Sequence, residues 1–176
     1  MYEIEFRAKF DRAKYDELKV RLNKEADLLG QDNKDVLFYI LPDKLLKVVH
    51  NTSKNTAKIS LKLNRLGAGA SFEEYEFHFN ASDFDNAKVL VEKLGLQAKF
   101  MQESQTRVNY QYNGCEIALK HSETWGYHME IEIMVENQSN QEQAEKQIAE
   151  TARELGVTLM TDEEIKTFTE SVETKL

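Results

Sequence analysis

The sequence predicts an α+β fold: a largely antiparallel sheet of eight strands, curled into a closed or nearly closed β-barrel, with helices packed outside it. Three observations predict it. Eight segments alternate polar and apolar residues with the period of two that a half-buried strand requires. Four other stretches carry apolar residues at the spacings of three and four that build one helix face. Asn113-Gly114 and Gly67-Ala-Gly69 fall between strand segments where hairpins need turns, and Asn-Gly is the strongest short hairpin signal. No linker or low-complexity tract interrupts the 176 residues. Residues 1–176 therefore read as a single domain, within the roughly 100–200 residues common for one.

The first strand is expected over Tyr2–Phe10. Asp11 then caps a helix to Leu29, with Tyr15, Leu18, Leu22, Ala26 and Leu29 as its apolar stripe and Gly30 as its terminator. Strands follow over Asp35–Ile40, Leu45–His50, Ala57–Arg65 and Phe72–Phe79. Asp83 precedes a second helix that carries Ala87, Leu90, Val91 and Leu94 and closes at Gly95. Three further strands run over Gln105–Tyr112, Glu116–His121 and Tyr127–Val135. A third helix starts after Asn140, buries Ala144, Ile148, Ala152 and Leu155, and stops at Gly156. The last begins at Thr161, where Thr-Asp-Glu-Glu makes a capping box with Glu164, and presents Ile165, Phe168 and Val172 on one side.

Composition narrows the function. With 31 acidic against 23 basic residues the net charge is −8, which argues against a nucleic-acid-coating role. A single cysteine, Cys115, excludes a disulfide framework and a Cys-based zinc site. No apolar run approaches the roughly 18–20 residues that span a bilayer. The charged start MYEIEFRAKF does not read as a signal peptide, so no membrane partner and a cytoplasmic location are expected. The chain is expected as a monomer or homodimer.

The strand faces carry the chemistry. Glu3, Glu5, Arg7 and Lys9 share one face of the first strand, because alternate residues point the same way. Lys58 and Lys62, Glu74 and Glu76, Arg107 and Asn109, Glu116 and Lys120, and His128, Glu130 and Glu132 do the same on theirs. One reading is an ordinary sheet with a solvated side. Against it, Glu-x-Glu occurs three times in strands, where Glu is depleted. Two such carboxylates stand about 7 Å apart and repel unless a cation intervenes. If the charged face points inward, it lines a tunnel in which a carboxylate cluster meets a basic cluster. Clustered carboxylates without cysteine favour Mg²⁺ or Mn²⁺, and Mg²⁺ completes its shell with water and substrate phosphates that Arg and Lys also bind. Gly67-Ala-Gly69 is no phosphate-binding loop, since it lacks the Lys-Ser/Thr and helix that must follow.

These residues resemble the CYTH, or triphosphate tunnel metalloenzyme, superfamily of class IV adenylyl cyclases, thiamine triphosphatases and inorganic tripolyphosphatases. Glu3-Ile4-Glu5-Phe6-Arg7 resembles its N-terminal Glu-x-Glu-x-Lys strand. Leu46-Lys47-Val48-Val49 is similar to its Leu-Arg-x-Arg strand, Ile59-Ser60-Leu61-Lys62 to its strand with a central Lys, and Phe72-Glu73-Glu74-Tyr75-Glu76 to its Arg-Glu-x-x-Glu-type strand. Arg107-Val108-Asn109-Tyr110 looks like its Arg strand, and Gly126 through Glu132 like its closing Gly-x-x-x-Glu-x-Glu. The chain departs at Arg7, where Lys is usual; at Lys47, Val49 and Phe72, where Arg is; and at Lys120, where the family has Asp.

The resemblance implies a metal-dependent phosphohydrolase acting on a triphosphate-bearing small molecule. Mg²⁺ or Mn²⁺ would sit on Glu3, Glu5, Glu130 and Glu132, with Glu5, Glu130 and Glu132 catalytic. Arg7, Lys47, Lys58, Lys62 and Arg107 would bind phosphate, and Glu74 and Glu76 would serve a second metal or activate water. Two alternatives stay open: an adenylyl cyclase, in which the ribose 3′-hydroxyl replaces water as nucleophile, and a non-catalytic nucleotide- or polyphosphate-binding module. Cys115, the four histidines, Trp125 and the acidic stretch Asp162–Glu173 read as structural or solvated.

Overall fold

The computed structural model describes residues 2–65, 69 and 71–176, with no side-chain description at 71, 72 and 138; the turn expected at Gly67-Ala-Gly69 lies largely outside these. Each of the eight expected strands is present. They are β1 (Tyr2–Lys9), β3 (Lys34–Ile40), β4 (Leu45–Asn51), β5 (Thr56–Lys62), the broken strand β6 (Ser71–Phe72) and β7 (Glu74–Asn80), β8 (Lys99–Tyr112), β9 (Cys115–Ser122) and β10 (Gly126–Val135). The sheet order is β6-β1-β10-β9-β8-β3-β4-β5-β7, antiparallel throughout. Its two ends, β6 on β1 and β7 on β5, are consecutive in the chain with only Glu73 between them. The sheet therefore curls until one bent strand belongs to both of its ends.

The apolar faces lie on the outside of this curl. Ile4, Ala8, Tyr110, Ile117, Leu119, Met129 and Ile131 are buried against Leu18 and Leu22 of α1 (Arg12–Glu25) and Ile148, Ala152 and Leu155 of α3 (Gln141–Leu155). A smaller cluster packs Leu37, Tyr39 and Val48 under Val91 of α2 (Phe84–Lys93). Burial of these faces against helices leaves most of the concave face to polar and charged side chains, with Val36, Leu45 and Val49 as buried apolar exceptions. The last helix, α4 (Asp162–Glu173), carries the expected capping box: Thr161 N–H donates to Glu164 Oε2 at 2.8 Å, and Glu164 N–H donates to Thr161 Oγ1 at 3.2 Å.

The first helix is shorter than its stripe suggested. It ends at Glu25, and Asp27–Gln31 form a short strand, β2, that pairs with β8. Leu28 and Leu29 are exposed, so the last part of the stripe covers nothing. Gly30 terminates no helix; its φ of 111° serves a register shift within the β2–β8 pairing. Strand β8 likewise starts at Lys99, six residues before the expected Gln105, because β3 pairs with residues 99–105 and β2 with 108–111 along one edge. The hairpin at Asn113-Gly114 is as expected, with positive φ at both residues (50° and 74°), the backbone of a type I′ turn.

Candidate functional site

The concave face encloses a cavity of about 250 Å³ lined by seven Arg or Lys and six Glu side chains. Register explains who meets whom. Across β1 and β10, Glu5 stands opposite Glu132 and Arg7 opposite Glu130. Across β5 and β7, Lys58 stands opposite His78, Ser60 opposite Glu76 and Lys62 opposite Glu74, while Lys47 of β4 faces Ser60. Every residue that the sequence assigned to the site lines this cavity: Glu3, Glu5, Glu130, Glu132, Glu74, Glu76, Arg7, Lys47, Lys58, Lys62 and Arg107.

Within the cavity the carboxylates divide. One oxygen each of Glu3, Glu5 and Glu132 lies within 4.8 Å of the others. Burial pushes the Glu132 carboxyl up to about 8, with Glu3, Glu5 and Glu130 adding to the rise against Arg107. Glu3 is raised too, by burial and then by Glu5. Buried Glu5 Oε1 touches the Arg7 guanidinium but accepts no well-directed hydrogen bond. Three crowded carboxylates, one of them with an oxygen that accepts no hydrogen bond, are a donor set suited to a hard divalent cation, and a cation is what relieves their repulsion. Lys62 lies beside them, 2.8 Å from Glu3, 3.3 Å from Glu5 and 3.5 Å from Glu74. Burial pushes its ammonium down, but these carboxylates outweigh burial and the net shift is upward.

Glu130 sits apart from that trio. Its Oε1 accepts from Arg7 Nε (3.2 Å) and Nη2 (3.1 Å) and from Lys120 Nζ (2.9 Å), and its Oε2 from Arg107 Nη1 (3.4 Å). Burial opposes its charge, yet Lys120, Arg7 and Arg107 hold it well below the usual carboxylate range. Glu74 and Glu76 also stand outside the trio. Glu74 meets Lys47 at 3.5 Å and Ser60, and Glu76 meets Lys58 and His78. Burial raises Glu74, but Lys47 and Lys62 bring it down to about 2.

The structure adds residues that the sequence reading missed. Lys34 lines the cavity, and burial together with Arg107 lowers it to about 8 against its partner Asp32 at 2.9 Å. Buried Asp32 also meets Lys54 at 2.9 Å and Arg107 at 3.4 Å, and accepts from Asn51 Nδ2 at 2.6 Å. Neither was visible, because Val36, Phe38 and Ile40 make the inner face of β3 look like a core strand. At the cavity's edge Trp125 packs against Phe168 of α4 in a tilted arrangement, ring centroids 4.5 Å apart, with Lys9 Nζ 3.8 Å from the Phe168 ring. His128, brought down to about 3 by burial and Lys120, is neutral, its Nδ1–H donating to Gly126 O at 2.9 Å.

Fold and lining together define a curled antiparallel sheet around a cavity of closely balanced charge. The chain belongs to the CYTH family, whose domain model matches residues 1–164. Among solved structures it is similar to a Pyrococcus horikoshii protein at 25% identity, covering 93% of this chain and 99% of that one with a TM-score of 0.71. A Pyrococcus furiosus protein shares 21% identity over 90% of this chain and 94% of that one, with a TM-score of 0.72. A Hippeastrum protein described as having a dominant triphosphatase activity shares the fold at 16% identity, covering 90% and 89% with a TM-score of 0.62. Comparison with curated proteins finds no significant match. No described helix is long and apolar enough to cross a membrane.

Proposed function

We propose that the cavity binds a triphosphate-bearing small molecule together with Mg²⁺ or Mn²⁺ and hydrolyses it. The observation that carries this reading is the meeting of the Glu3, Glu5 and Glu132 oxygens with seven basic side chains in one cavity. Neither half is satisfied alone: a polyanion without metal meets the carboxylates, and a metal without polyanion leaves the cations crowded. Glu3, Glu5 and Glu132 would hold the metal, which when bound supplies charge neutralisation and polarisation of phosphate oxygens. Arg7, Lys47, Lys58, Lys62 and Arg107 orient the phosphate chain and stabilise charge as it builds on the leaving group. Lys34 and Lys120 extend that set. Glu74 and Glu76, each paired with lysine, keep those ammonium groups aimed inward. Family membership and the triphosphatase activity described for the Hippeastrum protein support the same class of chemistry.

The test is incubation of the purified chain with Mg²⁺ or Mn²⁺ and either tripolyphosphate or ATP. Inorganic phosphate release, abolished by EDTA and by Glu5→Gln, is the expected result. Cyclic AMP with pyrophosphate would instead make the chain a cyclase. Thermal stabilisation by the ligands without any product would make it a binding module, and no response at all would overturn the reading.

A further inference from the structure

Glu130 and Glu132 lie two residues apart on one face of β10, yet their surroundings differ. Glu132 joins Glu3 and Glu5, whereas both oxygens of Glu130 are taken by cations from three other strands. The register shows how so many cations reach one carboxylate. Arg7 of β1 stands directly opposite it on one side. On the other side stands Ala118, whose methyl group leaves room for Lys120, two residues along β9, and for Arg107 of β8, itself paired with Lys120. Arg7 keeps Glu5 as a second partner and Arg107 keeps Asp32, but among the described residues Glu130 is the carboxylate that Lys120 meets. A divalent ion on Glu130 would have to displace these contacts and sit among three positive charges.

We propose that Glu130 is a positioning residue, the shared counter-ion that holds Arg7, Lys120 and Arg107 as one phosphate-facing cationic wall, and that the metal is left to Glu3, Glu5 and Glu132. This rests on the reading of the cavity as a metal and polyphosphate site, and it assigns within it a division of labour that the two neighbouring glutamates do not share.

The experiment measures Mn²⁺ binding alone by calorimetry, and tripolyphosphate binding in excess EDTA by the fluorescence of Trp125, the single tryptophan, which lines the cavity. Glu132→Gln should weaken Mn²⁺ binding by about tenfold or more, at least the loss typical of disturbing a ligand's own support. Glu130→Gln should change Mn²⁺ affinity by less than about threefold, the effect of one distant charge. It should tighten metal-free tripolyphosphate by about three- to tenfold, because three cations lose a shared acid. A purely structural defect would weaken both. Should Glu130→Gln fold poorly, the double variant Lys120→Met/Glu130→Gln removes one acid and one base together, and wild-type Mn²⁺ affinity is expected of it. A tenfold loss of Mn²⁺ affinity in either Glu130 variant overturns the assignment, as does weaker metal-free tripolyphosphate binding by folded Glu130→Gln. A wild-type chain that takes up neither Mn²⁺ nor tripolyphosphate overturns the proposed function, and the assignment with it.

Discussion

Metal affinity should depend steeply on pH, and Glu132 sets the dependence. Its carboxyl, pushed up to about 8 by burial and by Glu3, Glu5 and Glu130, is protonated in the metal-free protein at neutral pH. A metal must expel that proton. With a single group at about 8, apparent Mn²⁺ affinity falls about tenfold per pH unit below that value, which amounts to about 50-fold between pH 8 and pH 6. At pH 7 about 0.9 proton leaves per metal bound, readable by calorimetry in buffers of different ionisation enthalpy. Glu3 is raised as well, so it adds to the slope in the same direction. The sign for folding follows from the same shift. The native state holds a proton that the unfolded chain has released, so metal-free stability falls as pH rises from 4.5 toward 8, and Mn²⁺ restores it. Glu132→Gln should flatten both profiles. A Mn²⁺ affinity indifferent to pH between 6 and 8, or an equal slope in Glu132→Gln, would refute the reasoning.

Three further outcomes test other parts of the structure. Lys34, lowered to about 8, is charged below that value and neutral above it, so metal-free tripolyphosphate affinity should fall by about tenfold from pH 7 to pH 9. Lys34→Arg should reduce that loss in the Trp125 titration to the part that Glu132 contributes by ionising over the same range, and an unchanged alkaline limb would exclude Lys34 as a source. Gly30→Ala meets no atom within 4 Å but must hold a φ of 111°, so urea denaturation should show a loss of about 1 kcal/mol from backbone strain alone; no loss would mean that β2 can realign on β8. Thr161→Ala removes the capping box of α4, about 1 kcal/mol, and amide exchange within residues 162–173 should quicken about fivefold while exchange in β10 stays unchanged.

What could be read from the sequence is what a local period determines. Alternation along β1, β5, β7 and β10 separates the two faces of the sheet without knowledge of any partner strand, and the inner faces carry the acids and bases as expected. The misses arise where a partner decides. Leu28 and Leu29 continue a helical stripe, but pairing with the second half of β8 makes their segment a strand. Lys34 stands on a face otherwise apolar, so nothing near it in sequence marks it as a cavity residue. Glu130 and Glu132 are indistinguishable by spacing. The opposing residues separate them, Ala118 in one case and Glu116 in the other, a difference that only the β9–β10 register exposes.

The location of the apolar core explains why such a cavity can exist. Helices α1, α2 and α3 cover the outer sheet face, so folding draws its hydrophobic stabilisation from outside the barrel and the interior can be reserved for charge. Buried ion pairs add little net stability, because desolvation offsets most of their attraction, and their near balance of seven bases to six acids limits that cost. The interior thus holds a surplus of one base in a chain whose net charge is −8. A bare polyanion approaching this acidic exterior is repelled over about a Debye length, roughly 8 Å at physiological ionic strength. A polyphosphate already carrying Mg²⁺ or Mn²⁺ is repelled less, and inside it brings the cation that Glu3, Glu5 and Glu132 call for. On the proposed function, exterior charge and interior chemistry would therefore select the same form of ligand, the metal complex over the free anion.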